Sequence, residues 1–152
     1  MSEITTSEQK TESERLAVPA FGYELIREFL LPELLSKDAP EIMYWDGKRI
    51  ARKFPLATLE ETIRFFEDAG WGILTIKEES RREMVLELGS ELISSRLKNN
   101  PNCTFQLEAG FIAQQMEQQK NVTAETFEHP NKKSSKILFT VKWDKNDLID
   151  EK

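Results

Sequence analysis

The side chains able to do chemistry in this sequence are few and far apart. His129 is the single histidine and precedes Pro130 in a turn-rich stretch. A metal or haem ligand normally sits on a rigid element with further ligands beside it; His129 has none nearby in sequence and reads as an exposed turn residue. A serine–histidine or cysteine–histidine nucleophilic pair would have to use that same residue. Cys103 opens the most apolar helical stretch of the chain. The dipole at a helix N-terminus favours a thiolate, yet a free cysteine serves more often as a small core hydrophobe, which is the preferred reading. Glu108 lies between Leu107 and Ala109 on the same stretch. An ionised carboxylate there needs a partner or a shifted pKa. Because charged residues are rarely buried, the preferred expectation is a wet helix face shared by Glu108 and Gln115. The neighbouring acids Glu60–Glu61 and Glu78–Glu79 suit capping and turn roles.

Lys48, Arg49, Arg52 and Lys53 place positive charge on one helix face, with no interleaved aromatics for base stacking. A solvated face accounts for them. No glycine-rich phosphate loop, HExxH or GxSxG sequence is present, so motif-borne catalysis has no foothold and an enzyme is the less favoured reading. With 152 residues, 39% of them hydrophobic and 32% charged, the chain fits one soluble domain with a sizeable core. A net charge of −6 argues against nucleic acid. One cysteine allows neither an internal disulfide nor a cysteine-based zinc site. Apolar runs are far too short for a transmembrane segment and no charged-then-apolar leader opens the chain, so a cytoplasmic location is expected.

The elements that must position these residues follow from periodicity. Residues 1–19 and 144–152 each hold four acids and two bases and little apolar surface, which predicts a disordered N-terminal tail and a flexible acidic C-terminal tail around a domain at 20–143. Phe21, Leu25, Ile26, Phe29 and Leu30 mark an amphipathic helix that Pro32 stops or kinks. A second helix carries Met43, Gly47, Ile50 and Phe54 along one stripe, where Gly47 lets another backbone come close. Thr58 and Glu61 form a capping box for a third, with Gly70 as its C-cap. Period two then takes over from Trp71 to Lys77 and through Met84, Leu86 and Leu88. Helical spacing returns over Glu91–Lys98. The next helix, with Phe105, Ala109, Ile112, Ala113 and Met116, is apolar around so much of its circumference that it is expected to be buried on more than one side. Strands at Val122–Glu128 and Lys136–Trp143 close the chain, joined by a turn at His129–Ser134. The order ααα-ββ-αα-ββ predicts an α+β fold with helices packed on an antiparallel sheet of about four strands.

Tyr23–Glu28, Met43–Pro55, Phe66–Gly72, Ile93–Lys98, Phe105–Ala113 and the closing Thr140–Asp144 together resemble the YslB-like proteins of Gram-positive bacteria, in order over residues 21–144. More distantly the pattern is similar to the superfamily of 4-vinyl reductase domains, haem-dependent nitric-oxide sensors and TRAPP vesicle-tethering subunits. That resemblance implies the same α+β fold and either an internal cavity for a hydrophobic or planar ligand or a dimeric scaffold. The Tyr-x-Ser-x-Arg signature and helical histidine of the haem sensors have no counterpart here, so no cofactor is expected and haem least of all. Cys103, followed by Phe105 and Gly110, is similar to the Cys-then-Gly helix of the 4-vinyl reductase domains.

These readings lead to a non-catalytic module that binds a small hydrophobic ligand between helices and sheet. Trp45, Trp71, Cys103, Phe105 and Phe111 would wall the pocket and Glu108 would orient a polar end. The alternative is a homodimeric protein-interaction subunit without a ligand, paired through part of the helical half.

Overall fold

A computed structural model describes residues 17–131 and 133–148. Residues 1–16 of the expected N-terminal tail and 149–152 of the expected C-terminal tail lie outside the described residues. The helical half opens with α1 (Ala20–Glu24), a π-helical stretch Leu25–Leu30 and α2 (Leu31–Leu35), which run on as one rod. Pro32 does not stop it. The Leu31 amide bonds five residues back to Ile26, and it is this π-helical widening that carries the rod past Pro32, which has no amide hydrogen to donate. A short 3-10 turn at Ser36–Asp38 leads into α3 (Ala39–Lys53), followed by α4 (Leu59–Asp68). The capping box at the start of α4 is formed with its return bond one residue further back: Thr58 Oγ1 accepts from the Glu61 amide at 3.2 Å, while Glu61 accepts from the Ala57 amide, not that of Thr58, at 2.9 Å.

The hairpin β1 (Ile73–Glu79) and β2 (Glu83–Gly89), the helices α5 (Glu91–Asn99) and α6 (Gln106–Lys120), and the hairpin β3 (Val122–Asn131) and β4 (Lys136–Leu148) complete the fold. The four strands form one antiparallel sheet in the order β1-β2-β4-β3. Alternation sets its two faces. Met84, Leu86 and Leu88 oppose Val141, Phe139 and Ile137 on the buried face, while Glu83, Val85 and Glu87 point the other way and stay partly wet. His129 and Pro130 belong to β3 rather than to the turn, opposite Leu138 and Ile137. Pro130 is tolerated because β3 is an edge strand, where a missing amide hydrogen can face outward. β4 continues through Leu148, which pairs with Val122.

Both sheet edges are blunted. On β3 the Ala124 amide donates to Glu117 Oε2 at 3.0 Å and the Thr126 amide to the Tyr44 hydroxyl at 3.2 Å. On β1 the register shifts between Ile76 and Glu78. Occupied amides and bulges are both devices that discourage pairing with another strand.

Helix α6 is the centre of the domain. Every residue from Glu108 to Met116 is buried, because α3 covers one side and the sheet the other. A Cβ added at Gly47 of α3 would overlap the Leu107 carbonyl, and one added at Gly110 of α6 would overlap the Tyr44 carbonyl. The two helices therefore meet backbone to backbone, and glycine at both positions is a steric requirement. Gln115, expected on a wet face, is 1% exposed. It accepts from the Leu56 amide at 3.1 Å and donates to the Phe54 carbonyl at 2.8 Å, tying down the loop after α3. No helix among the described residues is long and apolar enough to cross a membrane.

Candidate functional site

The first helical rod is turned inside out. An amphipathic helix on a globular protein normally points its apolar stripe at the core. Here Tyr23, Glu24, Arg27 and Glu28 face inward, while Phe21, Leu25, Ile26, Phe29, Leu30 and Leu34 are exposed; both phenylalanines are 63% and Leu34 is 69% accessible. The inward polar residues are held by partners on α5 and α6. Arg27 Nη2 lies 2.6 Å from Glu108 Oε1, and its Nη1 donates to the Tyr23 hydroxyl at 2.7 Å. Arg96 of α5 donates through Nε to Glu28 and through Nη2 to the Thr104 carbonyl at 3.0 Å, and its Nη1 is 3.9 Å from Glu108 Oε2. The other Glu28 oxygen accepts from Asn100 Nδ2 at 3.2 Å, and Ser95 donates to Glu24 at 3.3 Å. Phe105 lies beneath Arg96, with the guanidinium carbon 4.2 Å from the ring centroid.

Glu108 is 1% exposed, which corrects the wet-face expectation. Its charge is tolerated because two arginines approach it, neither of them near it in sequence. Burial alone would lower the Arg27 pKa, but the Glu108 charge and hydrogen bond, with Tyr23, more than offset this and hold it above the usual guanidinium value. The Tyr23 phenol is pushed up chiefly by burial, and so is the Cys103 thiol, despite the Arg96 charge nearby. Cys103 is thus a buried thiol with little thiolate character.

The sequence-predicted pocket residues do not converge on one place. Cys103, Phe105 and Glu108 surround the charge cluster just described. Trp71 and Phe111 lie in a separate aromatic group with Phe65 and Phe66, where Phe65 stacks on Phe111 at 4.6 Å and Trp71 meets Phe111 edge-on at 5.3 Å. That group fills the space between α4, α6 and the start of the sheet. Trp45 is 54% exposed on the outer side of α3, beside Tyr44 and Lys48. His129 is exposed on β3, and among the described residues no group of three or more His, Cys, Asp or Glu side chains is placed to hold a metal ion.

Periodicity missed Arg27, Glu28 and Arg96. One signal was present: an acid on the most buried helix requires a cation, and Tyr23, Glu24, Arg27 and Glu28 recur at helical spacing as well as the apolar residues between them do.

A cleft of about 310 Å³ opens where this cluster reaches solvent. Arg27 and Arg96 lie in its wall with Glu28 and Cys103, Leu31 and Met43 give it an apolar side, and Lys37 stands at its mouth.

Residues 20–142 match the family model described as protein of unknown function DUF2507. The chain belongs to the DUF2507 family. It is 48% identical over 130 residues to the uncharacterised protein YslB of Bacillus subtilis (strain 168), covering 86% of this chain and 88% of that one. Among solved structures, a vinyl-4-reductase family protein from Methanocaldococcus jannaschii superposes with a TM-score of 0.60 at 22% identity, over 93% of this chain and 90% of that chain. This DUF2507 chain therefore shares the vinyl-reductase-like α+β fold. A looser match, with a TM-score of 0.38 and 14% identity over 90% of this chain and 62% of the other, is the unliganded Fe(II) H-NOX protein from K. algicida.

Proposed function

We propose that this DUF2507 protein is a non-catalytic, cytoplasmic interaction module that assembles with a second copy of itself through the outward apolar face of the α1–α2 rod. The observation that carries this reading is the inverted helix: ion pairs hold its polar side inward, so its apolar side needs cover from outside the domain. The six exposed side chains offer on the order of 600 Å² of apolar surface on one copy, at the top of what an ordinary monomer shows and approaching one side of a standard stable interface. A two-fold axis across the rod sets two such stripes antiparallel, so that Phe21 of one copy lies near Leu34 of the other and Leu25 and Phe29 pack across the axis.

Other covers fit less well. Residues 1–16 contain only Met1, Ile4 and Leu16 as large apolar side chains. Residues 17–38 hold four acids and two bases, and so no basic cluster of the kind that holds a helix on an anionic bilayer. The blunted edges of β1 and β3 disfavour assembly by strand addition. An apolar ligand between helices and sheet would have to displace Phe111 and Trp71 from their ring contacts.

Light scattering on the size-separated full chain tests the reading. A dimer is expected, and the double variant Leu25→Glu/Phe29→Glu should run as a monomer with an unchanged far-UV spectrum. A wild-type chain that stays monomeric at millimolar concentration, or a variant that still dimerises, overturns it.

A further inference from the structure

The cleft beneath the rod is polar where it is deep and apolar along one side, and its charge is unbalanced. Of the lining side chains charged at neutral pH, Arg27, Arg96 and Lys37 are cations and Glu28 is the carboxylate; with Glu108 paired to Arg27 just behind them, the excess is one positive charge, at Lys37. Glu28 has both oxygens engaged, by Arg96 and Asn100, and Glu108 lies behind the arginines rather than in the wall. With Arg27 and Arg96 paired to Glu108 and Glu28, what the cleft offers an anion is the unused guanidinium N–H donors and the charge of Lys37, not two free positive charges. Both arginines are more than nine-tenths buried, and a guanidinium in such surroundings is a strong anion donor because little water competes with it. Among the described residues each makes two protein hydrogen bonds, fewer than the five donors a guanidinium carries. Opposite them, Leu31, Pro32, Ala39, Pro40 and Met43 supply an apolar strip.

We propose that this cleft binds a small amphipathic carboxylate, with its head toward Arg27, Arg96 and Lys37 and its apolar body along Leu31, Pro40 and Met43. The volume, about 310 Å³, is at the lower end of the range for small-molecule sites and suits a short acid. A fully hydrated anion such as phosphate would leave the apolar strip unmatched, and a neutral or cationic amphiphile would leave Lys37 and the unused guanidinium donors unmatched. The backbone around the cleft is unusual in two places. Arg27 and Glu28 are presented from the π-helical stretch, and Ser36, at the mouth, is a non-glycine residue at φ 61° and ψ −146°. Such a sparsely populated conformation is retained only where its surroundings enforce it, and it recurs at ligand clamps. The cleft is separate from the outward face of the rod, so this inference does not rest on dimer formation.

Isothermal titration of the full chain with hexanoate, and with hexylamine, hexanol and inorganic phosphate as controls, tests it. Hexanoate should bind saturably at one site per chain and at least about tenfold more tightly than any control. Lys37→Glu should weaken it by about tenfold, and Met43→Trp, which fills the apolar side, should abolish it while the thermal midpoint shows that each variant is folded. Absence of saturable hexanoate binding, equal binding of any control, or hexanoate binding indifferent to both substitutions overturns the proposal.

Discussion

Arg27 and Glu108 are separated by 81 positions in the chain, yet their side chains meet at 2.6 Å inside the domain. This ion pair is the contact that turns the first rod inside out, because an inward Arg27 rotates Phe21, Leu25 and Phe29 to the outside. Truncating one partner of a buried pair leaves the other charge without compensation. Glu108→Leu and Arg27→Met should each lower unfolding stability by about 3–5 kcal/mol, whereas the double variant should regain most of that loss. Urea denaturation of the three variants measures this, and additive losses would show that the two charges do not depend on each other.

The backbone contact between α3 and α6 gives a prediction of another kind. Gly47→Ala or Gly110→Ala forces a methyl group into a carbonyl of the facing helix, and the helices must part. Each should cost about 3 kcal/mol or more, lowering Tm by roughly 10 °C. Gly22→Ala is the control: a Cβ there meets nothing within 4 Å, and its thermal midpoint should not fall.

Glu128 makes stability depend on pH. It lies on β3, and its carboxylate accepts from the Phe105 amide at 3.0 Å and from the Gln106 side chain at the start of α6. Burial pushes its pKa above the ordinary 4.5, although those hydrogen bonds pull the other way. The folded form therefore holds the proton more tightly than the unfolded one. Its contribution is fully present below about 4.5 and is lost as pH rises through the folded value. Wild-type stability should fall relative to Glu128→Gln across that window, and denaturation curves at a series of pH values report the difference. A flat or rising difference contradicts the assignment.

Cys103 should behave as an inert thiol. It is buried and its pKa lies above the usual 9.0, chiefly through desolvation. Alkylation by iodoacetamide at pH 8 should be at least about tenfold slower in the native protein than in denaturant. Equal rates would mean that the cleft opens to solvent far more than its geometry allows.

Much of the architecture is local and was legible. Period two places Met84, Leu86 and Leu88 on one sheet face. The Thr58–Glu61 pair starts α4, and Gly47 marks the close approach to α6. The apolar girth of α6 announces a helix buried on more than one side. Each of these features depends on residues a few positions apart, so a single sequence contains the information.

The candidate site is different. Tyr23, Glu24, Arg27 and Glu28 share a helical period with Phe21, Leu25, Ile26 and Phe29, and periodicity is symmetric between the two faces of a rod. Which face turns inward depends on whether Glu108, Arg96 and Asn100, all distant in sequence, stand opposite the first or the second. Hydrophobic burial alone would have chosen the apolar face. Only the tertiary structure reverses that choice, because Glu108 is fixed in the interior by α6 and a buried carboxylate needs a cation more than the rod needs to hide its apolar stripe.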